Sequence, residues 1–142
     1  MGCPFCNLDD NGRQGVVLEN EHCLFLQEPQ EVLVGSGLIV PRAHRETVFD
    51  LSPEEWAATF DLLQEAKALL DAEHAPQGYN LGWNSGVVAG QEVFHAHLHV
   101  IPRFADEPLA GRGIRHWLKQ PENRRKAGHR GRGGDTEKHR ER

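Results

Sequence analysis

Short apolar stretches separated by polar turns make up much of the chain. Residues 16–18 and 23–26 are joined by four polar residues, a pattern that predicts a β-hairpin. Residues 38–40 lie between a pair of glycines and a proline, which predicts a third strand. Residues 79–83 and 94–101 predict two further strands, and the loop between these two is rich in glycine.

One long helix is predicted from Ser52 to about Glu73. Ser52 is a typical N-cap, Pro53 follows where no hydrogen-bonded N–H is needed, and Glu55 completes a capping box. The elements together predict an α+β domain in which an antiparallel sheet carries the helix on one face. Apolar residues recur along the helix at helical spacing, with charges opposite them: Trp56, Phe60, Leu63, Ala66 and Leu70.

Length and cysteine usage limit the class of protein. The 142 residues suffice for one domain with a core but not for two. No apolar run approaches the ~18 residues that a membrane span needs, so we expect a protein without membrane contact. The start lacks the basic and apolar regions of a secretory signal, and the cysteine count of three is odd, which favours a cytoplasmic protein over a disulfide scaffold.

The net charge of −5 conceals a strong asymmetry along the chain. Residues 112–142 carry 11 basic and 4 acidic residues, whereas residues 1–110 carry 5 basic and 17 acidic ones. An acidic body repels nucleic acid, so any weak nucleic-acid binding belongs to the basic tail. We expect residues 124–142 to be disordered, because they contain almost no apolar side chains.

Three histidines alternate with apolar residues near the end of the body. If residues 94–101 form a strand, His95, His97 and His99 project from one of its faces. Such a row suits two chemistries, namely metal binding and attack of an imidazole on a phosphate. The CxxC spacing of Cys3 and Cys6 likewise fits either half of a metal site or a redox pair.

The triad, followed by two apolar residues and preceded by Gly90-Gln91, resembles the histidine triad (HIT) superfamily. The resemblance runs from about Cys3 to Arg103. It includes residues 38–44, which are similar to the family's apolar-Pro-x-x-His segment. It implies a half-barrel sheet with helices, usually paired as a homodimer. The corresponding domains are a HIT domain over 1–105, a C-terminal extension over 106–123 near the site, and the tail over 124–142.

The resemblance also implies roles for individual residues. His97 is the expected nucleophile, attacking the α-phosphate of a nucleotide to give a nucleotidyl-histidine intermediate, and His99 is expected to stabilise the charge that develops. The expected substrates are dinucleoside polyphosphates, nucleoside phosphoramidates or adenylylated small molecules. The expected substrate-binding residues are Glu28 at the ribose and Asn84, Gly90 and Gln91 in the loop. Independently of the resemblance, Arg103 lies close enough in sequence to the triad to assist at a phosphate, although an arginine in this position is at least as often a plain surface residue.

The chain also resembles one particular branch of the superfamily, whose members bind zinc. This branch uses a CxxC pair, the histidine after the Pro-x-x and the first histidine of the triad. The matching positions are Cys3, Cys6, His44 and His95. Four such ligands would form the closed shell of a structural zinc site.

Two departures from the family pattern bear on activity. Ser36 stands where the family often has a histidine that bonds into the triad, and Glu92 where several branches have Ser or Thr. They keep open a second function, a nucleotide-binding or sensing module with little turnover. A catalytic zinc hydrolase with three histidine ligands is a third, weaker possibility, because the occupied CxxC and His44 leave no open coordination position.

The start of the basic region contains a tryptophan, Trp117, which is costly to expose. We predict that it packs back, near the substrate loop or across a dimer, and brings Arg112 and Arg115 to phosphates.

Overall fold

A computed structural model of the chain describes residues 2–8 and 15–126, and within them five strands form one antiparallel sheet beside a long helix. The strand order is β1-β2-β3-β5-β4, and the predicted α+β class is confirmed. None of the helices in the described part is long and apolar enough to cross a membrane. The elements are β1 Gly15–Glu19, β2 Cys23–Gln27, β3 Gly37–Pro41, α1 Pro53–His74, β4 Gly78–Trp83 and β5 Leu98–Arg103.

The predicted hairpin is present as β1 and β2. The Asn20 side chain closes its turn by accepting hydrogen bonds from the backbone N–H groups of His22 and Cys23, at 3.2 and 2.9 Å. β3 pairs along the full length of β2, from Cys23 opposite Pro41 to Gln27 opposite Gly37. The third strand therefore also lies where its flanking glycines and proline predicted it.

The predicted caps of the helix are present, but its buried face differs from the prediction. Ser52 Oγ accepts from the backbone N–H of Glu55, and the Glu55 carboxylate accepts from the backbone N–H of Ser52. α1 ends where Ala75 takes a left-handed conformation at φ 50°. Ala66 and Leu70 are buried and Leu63 packs against the core, as their spacing predicts, but Trp56 and Phe60 are 49 % and 58 % exposed. The other buried positions of the helix are Glu55, Ala58, Thr59 and Leu62.

The sheet has an apolar cluster on each side. One lies under α1, where Phe25, Ile39, Leu98 and Val100 of the sheet meet the helix. Alternation along the strands sends their neighbours to the opposite side. There the N-terminal segment covers part of the sheet with Phe5, which packs with Leu24, Leu26 and Val40.

The last strand begins four residues later than predicted. Residues 94–97 are not part of β5, which starts at Leu98. The backbone N–H of Ala96 instead donates to the carbonyl of Arg45 at 2.7 Å, so this segment is hydrogen-bonded to the loop after β3 and not to a neighbouring strand. The predicted alternation of sides still holds, since Ala96 and Leu98 belong to apolar clusters while His97 contacts Phe5.

The described residues divide into two compact units between Ala110 and Gly111. In the second unit, residues 111–126, the Trp117 ring lies 4.5 Å from that of His116 and 5.9 Å from the Arg112 guanidinium, and it is 63 % exposed. The structure does not describe residues 127–142, so most of the segment 124–142 that we predict to be disordered lies outside the described residues. The placement of 106–123 near the site stays a prediction.

An ion pair between a buried carboxylate and a half-buried arginine joins the start of α1 to the loop after β3. The Glu55 carboxylate, 4 % exposed, accepts from Arg45 Nε at 3.0 Å and from Arg45 Nη2 at 3.1 Å. Burial raises the pKa of this carboxyl, but the hydrogen bonds from Arg45 and Ser52 outweigh that effect, and the net pKa is lowered. The loop that carries His44 is thereby tied to the helix.

Replacement of Glu55 by Gln is expected to lower the free energy of unfolding by about 1 kcal/mol at pH 7, because the charge on the hydrogen-bond acceptor is lost. A carboxyl with a lowered pKa stabilises the fold above the unfolded-state pKa of about 4.3 and ceases to do so as the pH falls through its folded-state value. The difference between variant and wild type should therefore shrink below about pH 4.

Urea unfolding at a series of pH values measures this difference. Glu54→Gln, an exposed carboxylate in the same helical turn, is the matched control and should have a much smaller effect. A Glu55→Gln difference that is the same at every pH would contradict the assignment to charge.

Candidate functional site

Two thiols and two imidazoles converge where the N-terminal turn meets the loop after β3. The potential ligand atoms of Cys3, Cys6, His44 and His95 all lie within 4.8 Å of one another. His95 Nδ1 is 3.3 Å from Cys3 Sγ and 3.5 Å from Cys6 Sγ, and His44 Nδ1 is 3.3 Å from Cys6 Sγ. These four residues, here called the Cys2His2 cluster, could bind a metal ion.

The distances in the Cys2His2 cluster fit the shell of a tetrahedral ion. Metal–sulfur and metal–nitrogen bonds of about 2.3 and 2.05 Å at the tetrahedral angle place sulfur and nitrogen about 3.5 Å apart. Partial desolvation and the neighbouring Cys3 thiol raise the pKa of Cys6, because a thiolate there would be poorly solvated and close to a second sulfur. A divalent cation between them would favour the thiolate forms instead.

The tautomer of His95 suits a ligand. Its ring is fully buried, and Nε2 lies 2.8 Å from the carbonyl oxygen of Pro41. A carbonyl only accepts, so Nε2 carries the proton and donates it there, which leaves the lone pair on Nδ1 facing the two thiols. A histidine ligand that donates its second N–H to a carbonyl is the usual arrangement around bound metals.

Backbone hydrogen bonds hold the parts of the chain that carry the Cys2His2 cluster. The carbonyl of Cys3 accepts from the N–H groups of Cys6 and Asn7, at 3.2 and 3.1 Å, which folds the CxxC into a tight turn. The loop with His44 begins at Arg42, whose N–H donates to the carbonyl of His22 at 2.8 Å. The Arg42 guanidinium also donates to Glu19 at 2.6 Å, which anchors this loop to the hairpin.

His97 and His99 form a second group beside the cluster. His97 Nδ1 lies 2.9 Å from the carbonyl oxygen of His95, so it carries the proton and leaves the lone pair on Nε2. The rings of His97 and His99 are 5.1 Å apart. Burial and then the neighbouring His97 lower the pKa of His99, which keeps His99 neutral near pH 7.

The glycine-rich loop after β4 is held from inside by Gln91. Its side-chain oxygen accepts from the backbone N–H of Gly86 at 2.8 Å, and its amide nitrogen donates to the carbonyls of Glu46 and Val93 at 2.7 and 3.1 Å. The buried Gln91 side chain thus bonds to three backbone groups of this part of the chain. Gly90 has φ 99°, a value that strongly favours glycine.

The other predicted substrate residues lie at different parts of the sheet. Asn84 directly follows β4 and is exposed, and its side chain lies close to Gly90. Glu28 directly follows β2 and is also exposed. Glu92, beside the loop, is exposed as well.

Arg103 lies at the end of β5 away from the histidines, and its guanidinium donates hydrogen bonds to three residues. Its Nε donates to the Glu107 carboxylate at 2.9 Å, and its Nη2 donates to the carbonyl of Leu109 at 3.0 Å. Its Nη1 donates to Asn80 on the neighbouring strand. The contacts with Glu107 and Leu109 hold residues 104–110 against the end of β5.

The structure adds residues that sequence reasoning did not single out. The Arg45 guanidinium donates to the Glu55 carboxylate, and the Arg45 carbonyl accepts from the backbone N–H of Ala96. Phe5 contacts the rings of His95 and His97. Phe5 lies inside the CxxC motif, so its position in the sequence was a usable signal. Nothing in the spacing of Arg45 indicated its two partners, since both depend on how distant segments meet.

Comparison with known proteins gives a consistent result. The family model described as "HIT domain" matches residues 11–106. "Protein hit" of Bacillus subtilis is 33% identical over 103 residues, covering 72% of this chain and 71% of that protein. A crystal structure of a HIT family protein from Bacillus anthracis matches with a TM-score of 0.66 and 37% identity, covering 73% of this chain and 74% of that one.

A second solved structure is relevant to the Cys2His2 cluster. A Zn-bound histidine triad family protein from Mycobacterium smegmatis matches with a TM-score of 0.65 and 27% identity, over 87% of this chain and 86% of that one.

Two relatives from Schizosaccharomyces pombe carry the names of activities. Its adenosine 5′-monophosphoramidase is 29% identical over 122 residues, covering 85% of this chain and 86% of that protein. Its asymmetrical bis(5′-nucleosyl)-tetraphosphatase is 32% identical over 72 residues, covering 51% of this chain and 40% of that protein.

Proposed function

Because the chain belongs to the HIT domain family, we propose that it is a nucleotide hydrolase or nucleotidyl transferase that acts at an α-phosphate through His97. The observation that carries this proposal is the 2.9 Å distance between His97 Nδ1 and the His95 carbonyl oxygen, which assigns the proton to Nδ1 and the lone pair to Nε2. A neutral imidazole held in this way needs no base to become a nucleophile. The names of the two S. pombe relatives support phosphoramidate or dinucleoside polyphosphate substrates.

In the first step, His97 Nε2 attacks the α-phosphorus, a nitrogen–phosphorus bond forms, and the bond to the leaving group breaks. The leaving group departs with the electron pair and takes a proton from solvent. The His97 ring becomes cationic, which strengthens the Nδ1–H hydrogen bond to the His95 carbonyl. The carbonyl therefore stabilises the intermediate more than the free enzyme, as catalysis requires.

His99 assists at the phosphate. As a neutral imidazole it donates one N–H, and the ring lies 5.1 Å from that of His97. Donation to a non-bridging oxygen stabilises the charge that gathers there during attack. In the second step, water attacks the phosphorus, the nitrogen–phosphorus bond breaks, His97 regains its lone pair, and the water releases a proton. A different acceptor in place of water gives transfer.

The proposed nucleotide contacts are distributed around this pair. Asn84 and the backbone N–H groups near Gly90 supply donors from the glycine-rich loop, while Gln91 shapes that loop from inside. Glu28 accepts from the ribose hydroxyls. A phosphate contact by Arg103 requires exchange of its present partners, Glu107, Asn80 and Leu109, so this assignment stays a prediction.

A nucleotide-binding module with little turnover is the second candidate function. Glu92 favours it, since this exposed carboxylate beside the loop would repel a polyphosphate.

The proposal assigns a structural zinc to the Cys2His2 cluster. The four ligands fill a tetrahedral shell, so a bound zinc supplies architecture and no open position for substrate. It would join the CxxC turn and the His44 loop to His95, whose carbonyl holds His97. The Zn-bound neighbour from Mycobacterium smegmatis supports zinc as the ion.

An apolar surface supports the proposed homodimer. Trp56 and Phe60, one helical turn apart on α1, and Leu81 on the edge strand β4 are exposed, and the Trp56 ring lies 5.9 Å from that of Trp83. Phe49, just before the helix, is 84 % exposed. Neighbouring exposed aromatic residues of this kind mark protein interfaces.

His97→Ala is expected to lower kcat by about 10³-fold or more, because no covalent intermediate can form. Wild-type protein mixed with adenosine 5′-phosphoramidate labelled at the α-phosphorus and quenched in alkali should carry label on His97, located by mass spectrometry. His22→Ala, a half-buried histidine in the hairpin turn, is the control and should retain activity and label. Tight nucleotide binding without label or turnover would support the binding module instead.

The purified protein should contain about one zinc per chain. Cys3→Ser/Cys6→Ser should lose it and unfold at lower temperature, as elemental analysis and calorimetry can measure. Cys23→Ala, which removes the buried third cysteine, should keep the metal. Full zinc occupancy in the double variant, or a different metal in wild type, would refute the assignment.

Sedimentation equilibrium should find a dimer for the wild type and a monomer for Trp56→Glu/Phe60→Glu, since charges would disrupt the apolar surface. Val32→Glu, an exposed apolar residue between β2 and β3, should remain dimeric. A monomeric wild type, or a dimeric double variant with intact helix content, would count against this surface.

A further inference from the structure

We propose that Phe5 is a positioning residue for His97, holding the plane of its imidazole so that Nε2 faces the substrate phosphorus. The proposal rests on the proposed function of His97 as nucleophile. It assigns to the central part of the CxxC motif a role that is separate from metal binding.

The Phe5 ring lies against two histidine rings at once. Its centroid is 5.4 Å from that of His97, with 65° between the planes, and 5.7 Å from that of His95, with 89° between the planes. Both are edge-on arrangements of the kind that aromatic rings prefer. With Phe5 only 6 % exposed, the ring is held by the sheet as well as by the histidines.

The CxxC turn explains why a ring at this position is fixed in space. Hydrogen bonds from the N–H groups of Cys6 and Asn7 to the Cys3 carbonyl close the turn, and the Asn7 side chain donates to the same oxygen at 3.0 Å. The two thiols are directed toward His95 and His44. Phe5 enters the apolar cluster of Leu24, Leu26 and Val40 on the sheet.

A single hydrogen bond orients an imidazole only loosely. The bond from His97 Nδ1 to the His95 carbonyl restricts rotation of the ring about its bond to Cβ, but a hydrogen bond tolerates a range of distances and angles. Contacts on the ring itself narrow that range, and the rings of Phe5 and His99 both lie edge-on to it. Of the two, Phe5 has no chemical role in the reaction, so its substitution isolates the effect of orientation.

Orientation matters because Nε2 must align with the bond that breaks. A displacement of about 1 Å in a reacting group can cost about 100-fold in rate. A leucine at position 5 would supply apolar volume for the cluster but no flat ring edge. Burial and orientation can therefore be separated by experiment.

The test compares Phe5→Leu with Phe25→Leu in the full-length protein. Phe25 is a fully buried phenylalanine on the helix side of the sheet, so the control makes the same chemical change away from the histidines. Three quantities are measured for each variant: metal content, kcat and KM for adenosine 5′-phosphoramidate, and the ¹⁵N-histidine NMR signal of the His97 Nδ1–H. Phe5→Met is a second variant, because an unbranched side chain adapts to gaps if leucine prevents folding.

Phe5→Leu should lower kcat by about tenfold or more with little change in KM, since misorientation affects the transition state more than binding. It should keep its metal, and its Nδ1–H signal should broaden or exchange faster. Phe25→Leu should lose stability only. Phe5→Leu with unchanged kcat and an unchanged Nδ1–H signal overturns the proposal, as does a loss of activity that only follows loss of metal.

The NMR signal keeps this proposal distinct from the proposed function. If wild-type protein turns over no nucleotide, the enzyme assignment fails, and the Nδ1–H signal alone then decides whether Phe5 orients His97.

Discussion

Hydrogen bonds to backbone carbonyl oxygens hold the short segment from His95 to His97 in place. This segment in turn positions both the Cys2His2 cluster and the proposed nucleophile. Pro41 accepts from the His95 ring, Arg45 accepts from the Ala96 backbone, and His95 accepts from the His97 ring. A carbonyl cannot donate, so the two ring contacts determine which nitrogen of His95 and of His97 is protonated. The Pro41 and Arg45 oxygens belong to β3 and the loop after it, so this part of the sheet positions the segment that carries both histidines.

The two halves of the site are thus coupled through one residue. The His95 ring faces the thiols of the Cys2His2 cluster, and its carbonyl faces His97. A rotation of His95 would disturb both the cluster and the hydrogen bond to His97. Arg45 reinforces the arrangement from the other side, because its side chain is anchored by the buried Glu55 at the start of α1.

Features that depend on neighbouring residues could be predicted from the sequence. The hairpin, β3 and the caps of α1 follow from turn residues, glycines and a capping box, and all were predicted. The Cys2His2 cluster required the family resemblance, since Cys3 and His95 are 92 positions apart. The start of β5 was predicted wrongly because alternation of apolar residues continues through residues 94–97, whereas a hydrogen bond from Ala96 to Arg45 replaces strand pairing there. The exposure of Trp56 and Phe60 was also missed, since helical spacing correctly joins Ala66 and Leu70 to the buried face but does not fix how far that face extends around the first turns of the helix.

The separation of the cluster's members along the chain has a consequence for how the protein folds and unfolds. Residues 3, 6, 44 and 95 lie far apart in the sequence, and the cluster closes one of the longest loops among the described residues. Contacts of such long range form late, because loop-closure entropy opposes them until the sheet exists. Interactions that are absent from the folding transition state slow unfolding and leave the folding rate nearly unchanged. An ion held by the cluster would therefore prolong the lifetime of the native state, and with it the resistance of the N-terminal turn to proteolysis.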